Sequence, residues 1–477
     1  MIYGPLLQLP VGAQPSDVAM ADLDHDGRLD IAITERGHDT LAIFRQLPGN
    51  TFPARASATY YVPSAPATLV NLPLNGYGLT GMSPKPPSDD LAVGAANNAY
   101  FYLFDNASSV PGVLALTRRP FFLWQNGSSV PLVNPRLVTG RFGDDLWFDL
   151  GYLYDASFPR GLGGMAIPRN STSASIIQPR IHYSTFQNPY PNFTPIDFTL
   201  ADLVGRGEPL DVVMPSPATD EVIAIYRRIP FSFNSVWWEI GEDDYLPSYG
   251  TRPVCAAAAD VDGDGGADLV TGHETSLNAV VQLHDPGMGR MVFTSARLTY
   301  ALPAVPKQMV LADLNGDNRP ELLVLLNNAT LRVYRNTGQS GAGRFDLASG
   351  ATLLTHPNPV YMRLADVDAD GHPDIVLACR GDDTVSIFYS SGQVLATAAA
   401  AEFTVAVYPN PARGAVQLRW PIGVASGPVV LVDMLGRVVR RWPAATSLLP
   451  VQDLPRGVYV LRTELSGRPF TQRLVLE

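Results

Sequence analysis

Short runs in which apolar and polar residues alternate dominate the chain. The runs "DVAMADL" (17–23), "DIAIT" (30–34), "TLAIF" (40–44) and "TYYV" (59–62) follow one another with turn residues between them, and the layout recurs downstream. A period of two over four to seven residues marks β-strands, and no long segment carries the 3.6-residue period of an amphipathic helix. The acidic residue that opens the second run falls at Asp30, Asp90, Asp149, Asp211, Asp268, Glu321 and Asp374, at intervals of 60, 59, 62, 57, 53 and 53 residues. Four short strands repeated at that period predict propeller blades rather than a helical solenoid.

The expected fold is therefore all-β, a seven-bladed β-propeller over residues 1–390 followed by a small Ig-like β-sandwich over 403–477. The seventh unit stops after "DTVSIFYSSG" without its outer strand, and the segment near residues 2–10 reads as that strand. Such a strand would complete the last blade and remove an open sheet edge. The small-residue stretch "SGQVLATAAAAE" makes 391–402 a linker.

Composition narrows the function. The 477 residues include 41 Gly and 42 Pro, in keeping with many turns, and the formal net charge of −11 argues against nucleic acid as a partner. No apolar run is long enough for a transmembrane helix. The two cysteines, Cys255 and Cys379, lie in different repeats and read as buried thiols. The start "MIYGPLLQLPVG" lacks the features of a secretory signal.

Between the first and second runs of four units stands an acidic loop: "DLDHDGRLD" from Asp22, "DVDGDGGAD" from Asp260, "DLNGDNRPE" from Asp313 and "DVDADGHPD" from Asp366. Positions 1, 3, 5 and 9 carry side-chain oxygens, and position 6 is usually Gly. A hard cation such as Ca²⁺ takes six to eight oxygens, which alternate side chains on a tight loop can supply together with the position-7 carbonyl. A helix-loop-helix calcium loop needs an acid at position 12, where this chain has Ile33, Thr271, Val324 and Leu377. The loop thus bridges two strands.

The D-x-[DN]-x-D-G-x-x-D pattern between strands, repeated around a ring, resembles the FG-GAP/VCBS repeats of integrin-α-type propellers. That resemblance implies calcium ligands Asp22, Asp24, Asp26, Arg28 (carbonyl) and Asp30; Asp260, Asp262, Asp264, Gly266 (carbonyl) and Asp268; Asp313, Asn315, Asp317, Arg319 (carbonyl) and Glu321; and Asp366, Asp368, Asp370, His372 (carbonyl) and Asp374. Asn318 stands in place of Gly in the third loop, which Asn tolerates because it visits left-handed conformations. Unit four keeps Asp202, Gly207 and Asp211 but has Val204 and Arg206 at ligand positions, and units two and three have lost the loop. The expected count is four structural Ca²⁺ ions.

The blocks "VYPNPARGAVQLRW", "VVLVDMLGRVVRR" and "LPRGVYVLRTELSGRPFTQRLVLE" resemble, in that order, the type A sorting domain of the type IX secretion system. The resemblance implies the type IX machinery as a partner and a secreted or outer-surface location. Cargo of that system needs an export signal, so the natural start is expected upstream of Met1 or the chain is processed. No catalytic motif stands out, and no catalytic residue is assigned. Trp124, Trp147, Trp237 and Trp238 gather in units three and four, where they serve either a glycan- or protein-binding face or the packing between blades. The expected role is adhesion or ligand binding; the alternative is a polysaccharide-degrading lyase or hydrolase, for which His182 with Tyr183 is the local pair to test. The "RGD" at 380–382 reads as an inter-strand turn.

Overall fold

Each acidic loop is followed by a strand buried along its whole length. Asp30–Glu35, Asp268–His273, Glu321–Leu326 and Asp374–Cys379 are buried at every residue in the computed structural model of the chain. Continuous burial on both faces requires cover on both faces, and neighbouring sheets supply it. The structure describes residues 3, 6–73, 89–96, 100–122, 124–125, 128–129, 137–140, 149–154, 161–166, 180–184, 196–203, 211–228, 237–239, 245–285, 293–338, 344–390, 406–408, 410–419, 427–433, 437–444, 446–465 and 468–476. The chain divides into two compact units, Met1–Ala398 and Ala399–Glu477. The sequence-defined linker 391–402 and Trp147 lie outside the described residues, as do the side chains of Trp124, Trp237, Trp238, His182 and Tyr183.

The first unit contains, among the described residues, seven antiparallel sheets of at least four strands. The first runs Pro15–Ala21, Asp30–Glu35, Thr40–Phe44 and Ala58–Tyr61, and the second Pro66–Pro73, Asp89–Ala95, Tyr100–Asn106 and Leu116–Phe122. The third comprises Leu137–Gly140, Asp149–Tyr154, Gly161–Ala166 and Arg180–Ser184. The fourth comprises Thr199–Ala201, Asp211–Ser216, Glu221–Arg228 and Trp237–Glu239, with Tyr245–Pro247 also paired to its third strand. The fifth is Pro253–Ala259, Asp268–His273, Asn278–His284 and Phe293–Ala301, and the sixth Pro306–Ala312, Glu321–Leu326, Thr330–Asn336 and Phe345–Leu354. The seventh takes Pro359–Ala365, Asp374–Cys379 and Thr384–Phe388 from the end of the unit and Leu7–Pro10 from its start, in register Leu7↔Ile387 to Pro10↔Thr384.

The first strand of each sheet contacts the first strand of the next, and Pro359–Ala365 contacts Pro15–Ala21, so the succession closes on itself. A cavity of about 480 Å³ is lined by residues from all seven of these strands, among them Ala19, Val70, Thr139, Leu200, Ala257, Met309 and Leu364. Five of the first strands open on a proline and shift register directly after it, at Pro15, Pro66, Pro253, Pro306 and Pro359. Proline donates no ladder hydrogen bond and fits at a strand's first residue or a bulge.

The cores lie between sheets. Val18, Ile31, Ile33 and Phe44 of the first sheet pack with Val376, Val385 and Ile387 of the seventh and with Leu9 of its N-terminal strand. Leu322, Val324 and Tyr334 of the sixth pack with Val270, Val281 and Cys255 of the fifth.

Among its described residues the second unit has two sheets, Ala406–Tyr408, Ala415–Arg419, Leu448–Pro450 and Val438–Trp442, Val429–Asp433, Gly457–Leu465, Arg468–Leu476. Val416, Leu418 and Leu449 of one share a single core with Val429, Leu431, Trp442, Tyr459, Leu461 and Leu474 of the other.

Candidate metal centres

Each acidic loop joins the first and second strands of its sheet, and its own carboxylates fold it. The position-1 carboxylate collects backbone N–H groups from the far side of the turn. Asp22 accepts from Asp26 (3.1 Å) and Gly27 (3.0 Å), Asp260 from Gly263 (2.6 Å) and Gly265 (3.0 Å). Asp313 accepts from Gly316 (2.8 Å) and Asn318 (2.8 Å), Asp366 from Asp370 (3.0 Å) and Gly371 (2.9 Å). Position 6 must adopt positive φ for this, and Gly27, Gly265 and Gly371 lie at 88°, 91° and 90°. Asn318 takes the same place at 60°, in the region Asn tolerates. The position-5 carboxylate accepts the position-7 N–H, at 3.0 Å for Arg28, 2.8 Å for Gly266, 3.1 Å for Arg319 and 2.9 Å for His372.

The position-9 acid ties loop to sheet. One of its oxygens accepts the N–H of position 2, from Leu23 (3.1 Å), Val261 (2.7 Å), Leu314 (3.0 Å) and Val367 (2.8 Å). Asp30, Asp268 and Asp374 also accept an N–H from the end of the third strand or just past it, given by Gln46 (3.0 Å), His284 (2.7 Å) and Ser390 (2.7 Å). This role outlives the loop. Asp211 still accepts from Leu203 (3.1 Å) and Asp90 from Asn106 (2.6 Å), in sheets whose loops have lost ligand positions. In the six units where its side chain is described, the acid terminates backbone N–H groups that burial would otherwise leave unsatisfied.

Within 4.8 Å of one another lie carboxylate oxygens of Asp22, Asp24 and Asp30, of Asp260, Asp262 and Asp268, and of Asp366, Asp368 and Asp374. Loop 313–321 is not such a triplet, since position 3 is Asn315. Burial pushes the carboxyls of Asp30, Asp268 and Glu321 up to about 7 and that of Asp374 to about 6. Asp22, Asp262 and Asp368 are also raised, mainly by burial, with neighbouring carboxylates adding to the effect. Clustered hard oxygens that resist ionisation on their own are the donor set a divalent cation satisfies.

The sequence pattern missed a second set of residues. Gln46, whose N–H caps Asp30, donates its side-chain amide to the Val367 carbonyl of the seventh sheet's loop (2.8 Å). Asn106 donates in the same way to Leu23 of the first sheet's loop (3.0 Å), and Asn336 to Val261 of the fifth sheet's loop (2.7 Å). In all three cases the acceptor is the position-2 carbonyl of the preceding loop. One residue thus clasps its own sheet to its neighbour's. The signal was spacing: Gln46, Asn106, His284 and Ser390 stand 16 residues after the position-9 acid and Asn336 stands 15 after. Asn336→Ala leaves a buried carbonyl without its donor and should cost about 1–3 kcal/mol. Chemical unfolding in calcium checks this; a change below about 0.5 kcal/mol, the scale of a surface substitution, removes the clasp from the account.

The "RGD" segment is engaged by its surroundings. Gly381 N–H donates to the Pro357 carbonyl (2.9 Å), while Asp382 pairs with His356 and accepts from Thr384 (2.8 Å).

Comparison with known proteins agrees with both parts of the chain. Residues 313–377 match the FG-GAP-like repeat, and residues 406–477 match the secretion system C-terminal sorting domain. The chain therefore carries FG-GAP-type repeat structure and a type IX sorting domain. That domain makes it a secreted or outer-surface protein and implies contact with the type IX secretion machinery. No curated protein matches it. Among solved structures, BBS1N, solved in complex with ARL6DN, is 13% identical, with a TM-score of 0.51 over 82% of this chain and 97% of that one. A protein from Lactobacillus plantarum is 11% identical, with a TM-score of 0.46 over 73% of this chain and 87% of that one. Chaetomium thermophilum Raptor is 11% identical, with a TM-score of 0.45 over 82% of this chain and 29% of that one. No helix among the described residues is long and apolar enough to cross a membrane.

Proposed function

We propose that the protein is a calcium-stabilised seven-bladed β-propeller that binds an extracellular glycan or protein without transforming it. In this reading the N-terminal strand completes the last blade, and the sorting domain delivers the propeller to the cell surface or beyond. The observation that carries the reading is the repeated strand-to-strand acidic loop in a chain that ends in a sorting domain. Ca²⁺ is the ion that fits. The donors are carboxylates, an amide and the position-7 carbonyls of Arg28, Gly266, Arg319 and His372, with no thiolate and no histidine pair. Extracellular calcium is millimolar, so affinities on the order of 10⁻⁴ to 10⁻³ M suffice to load such loops. The ion's role is to hold a strand-to-strand turn. Recognition then falls to the units that have lost the loop, where Trp124, Trp147, Trp237 and Trp238 cluster in sequence.

The test is capture of the full chain on immobilised polysaccharides and surface proteins, with and without calcium, alongside product analysis of each polysaccharide. Saturable capture without new products supports a binder. Product formation lost in His182→Ala would replace this reading with an enzyme.

A further inference from the structure

The four loops differ in what meets the second oxygen of the carboxylates at positions 3 and 5. In 260–268 and 366–374 one oxygen of each accepts a backbone N–H. Asp262 and Asp368 take the position-5 N–H (3.2 and 3.3 Å), and Asp264 and Asp370 take the position-7 N–H (2.8 and 2.9 Å). Among the described residues nothing donates to the second oxygen of these four side chains, and no lysine or arginine forms an ion pair with them.

In 22–30 those second oxygens are taken. Arg45 Nε pairs with Asp24 Oδ2, Arg28 Nη2 pairs with Asp26 Oδ2, and Arg45 Nη2 lies 4.0 Å from the same Asp26 oxygen. The Asp24 side chain is wholly buried, which shields its pair with Arg45 from solvent. Loop 313–321 reaches a similar end by other means. Asn315 Oδ1 accepts the Asp317 N–H (3.0 Å), and its Nδ2 donates to Glu321 Oε1 (2.8 Å). Arg335 Nη2 stands 3.9 Å from Asp317 Oδ2. Arg45 and Arg335 occupy one place in their sheets, directly before the clasp residues Gln46 and Asn336. Leu283 and Tyr389 stand there in the other two.

We propose that the ring contains two kinds of loop. Loops 260–268 and 366–374 take up Ca²⁺, whereas 22–30 and 313–321 are held by the chain's own guanidinium and amide groups and bind the ion about tenfold more weakly or less. Calcium affinity in such loops follows ligand charge and site rigidity. An ion entering 22–30 must displace a guanidinium from a buried carboxylate, and one entering 313–321 must displace an amide from Glu321. Entry into the other two loops displaces no lysine or arginine; the basic side chain acting on Asp262 of 260–268 is His284. The result is a ring that keeps two of its loops closed when calcium is scarce. This inference rests on the calcium reading above.

Equilibrium dialysis of the full chain against calcium alone tests it. The wild type should show two sites in its tighter class, and Arg45→Gln should add a third. Four equivalent sites, unchanged in Arg45→Gln, would overturn this inference while leaving the calcium reading standing. Absence of any binding would remove the calcium reading and this inference with it. Should Arg45→Gln fail to fold, hydrogen exchange of the wild type in chelator decides the matter. Amides of 261–268 and 367–374 should lose protection while those of 23–30 and 314–321 keep it; uniform loss overturns the proposal.

Discussion

Excess chelator at pH 8 is expected to lower the melting temperature of the first unit by roughly 6 °C, and by clearly less at pH 5.5. A loop held at about a hundred times its Kd in calcium gains about 2.7 kcal/mol, so two such loops supply about 5 kcal/mol. For a unit of this size each kcal/mol moves the transition by about 1.2 °C. The pH dependence follows from the buried acids. Asp268 is raised to about 7 and Asp374 to about 6, as are Asp30 and Glu321 to about 7, all above the value near 4 of an unfolded carboxylate. Without an ion, the folded chain holds more protons than the unfolded chain between about pH 4 and 7, so its stability falls as pH rises through that window. In the two loops that take up calcium, Asp268 and Asp374 are ionised as ligands and the ion replaces their protons, so affinity grows with pH. Melting curves at pH 5.5 and pH 8, with calcium and with chelator, separate these contributions. A melting temperature that ignores chelator at pH 8 sinks the structural role of the ion.

What could be read from sequence was whatever fixed chemistry imposes at fixed spacing. Coordination demands oxygens at positions 1, 3, 5 and 9, so Asp260 to Asp268 and Asp366 to Asp374 announced themselves, and the position-9 acid counted the sheets even where the loop had decayed. The clasp was harder to see. Donating one hydrogen bond to a carbonyl is a task that Gln46, Asn106 and Asn336 share, and His284 and Ser390 also occupy the place, so no residue identity repeats. Loop inequivalence was harder still, because Arg45 and Asp24 are separated by 21 residues and only the hairpin brings them together. The position-1 to position-9 pattern treated all four loops alike; the opposing strand tells them apart.

Arg363→Ala is expected to cost about 3 kcal/mol. From the first strand of the seventh sheet, the Arg363 guanidinium donates through Nε to the Val18 carbonyl (3.3 Å) and through Nη2 to Asp17 Oδ2 (3.3 Å) and the Leu69 carbonyl (2.9 Å). Asp17 is fully buried and also accepts from Val18 N (2.8 Å), Leu69 N (2.9 Å) and Thr68 Oγ1 (3.2 Å). One ion pair therefore joins the seventh, first and second sheets where the two ends of the unit meet. Removing a partner from a buried pair typically costs about 3–5 kcal/mol because the other charge stays behind unpaired. The Arg363 side chain is 26% exposed, which lets water into the site and places the expected cost at the low end of that range. Arg363→Lys should recover only part of the loss, since an ammonium lacks the planar fork that serves acceptors on two sheets. Asp17→Asn keeps an acceptor for only one of the Val18 and Leu69 N–H groups, which meet different oxygens of Asp17, and turns an amide N–H toward the other, so it should destabilise as well. The measurement is denaturant unfolding in saturating calcium, with hydrogen exchange to locate the change at Pro15–Ala21 and Pro66–Pro73. If Arg363→Ala unfolds within about 0.5 kcal/mol of the wild type, ring closure rests on apolar packing and strand pairing alone.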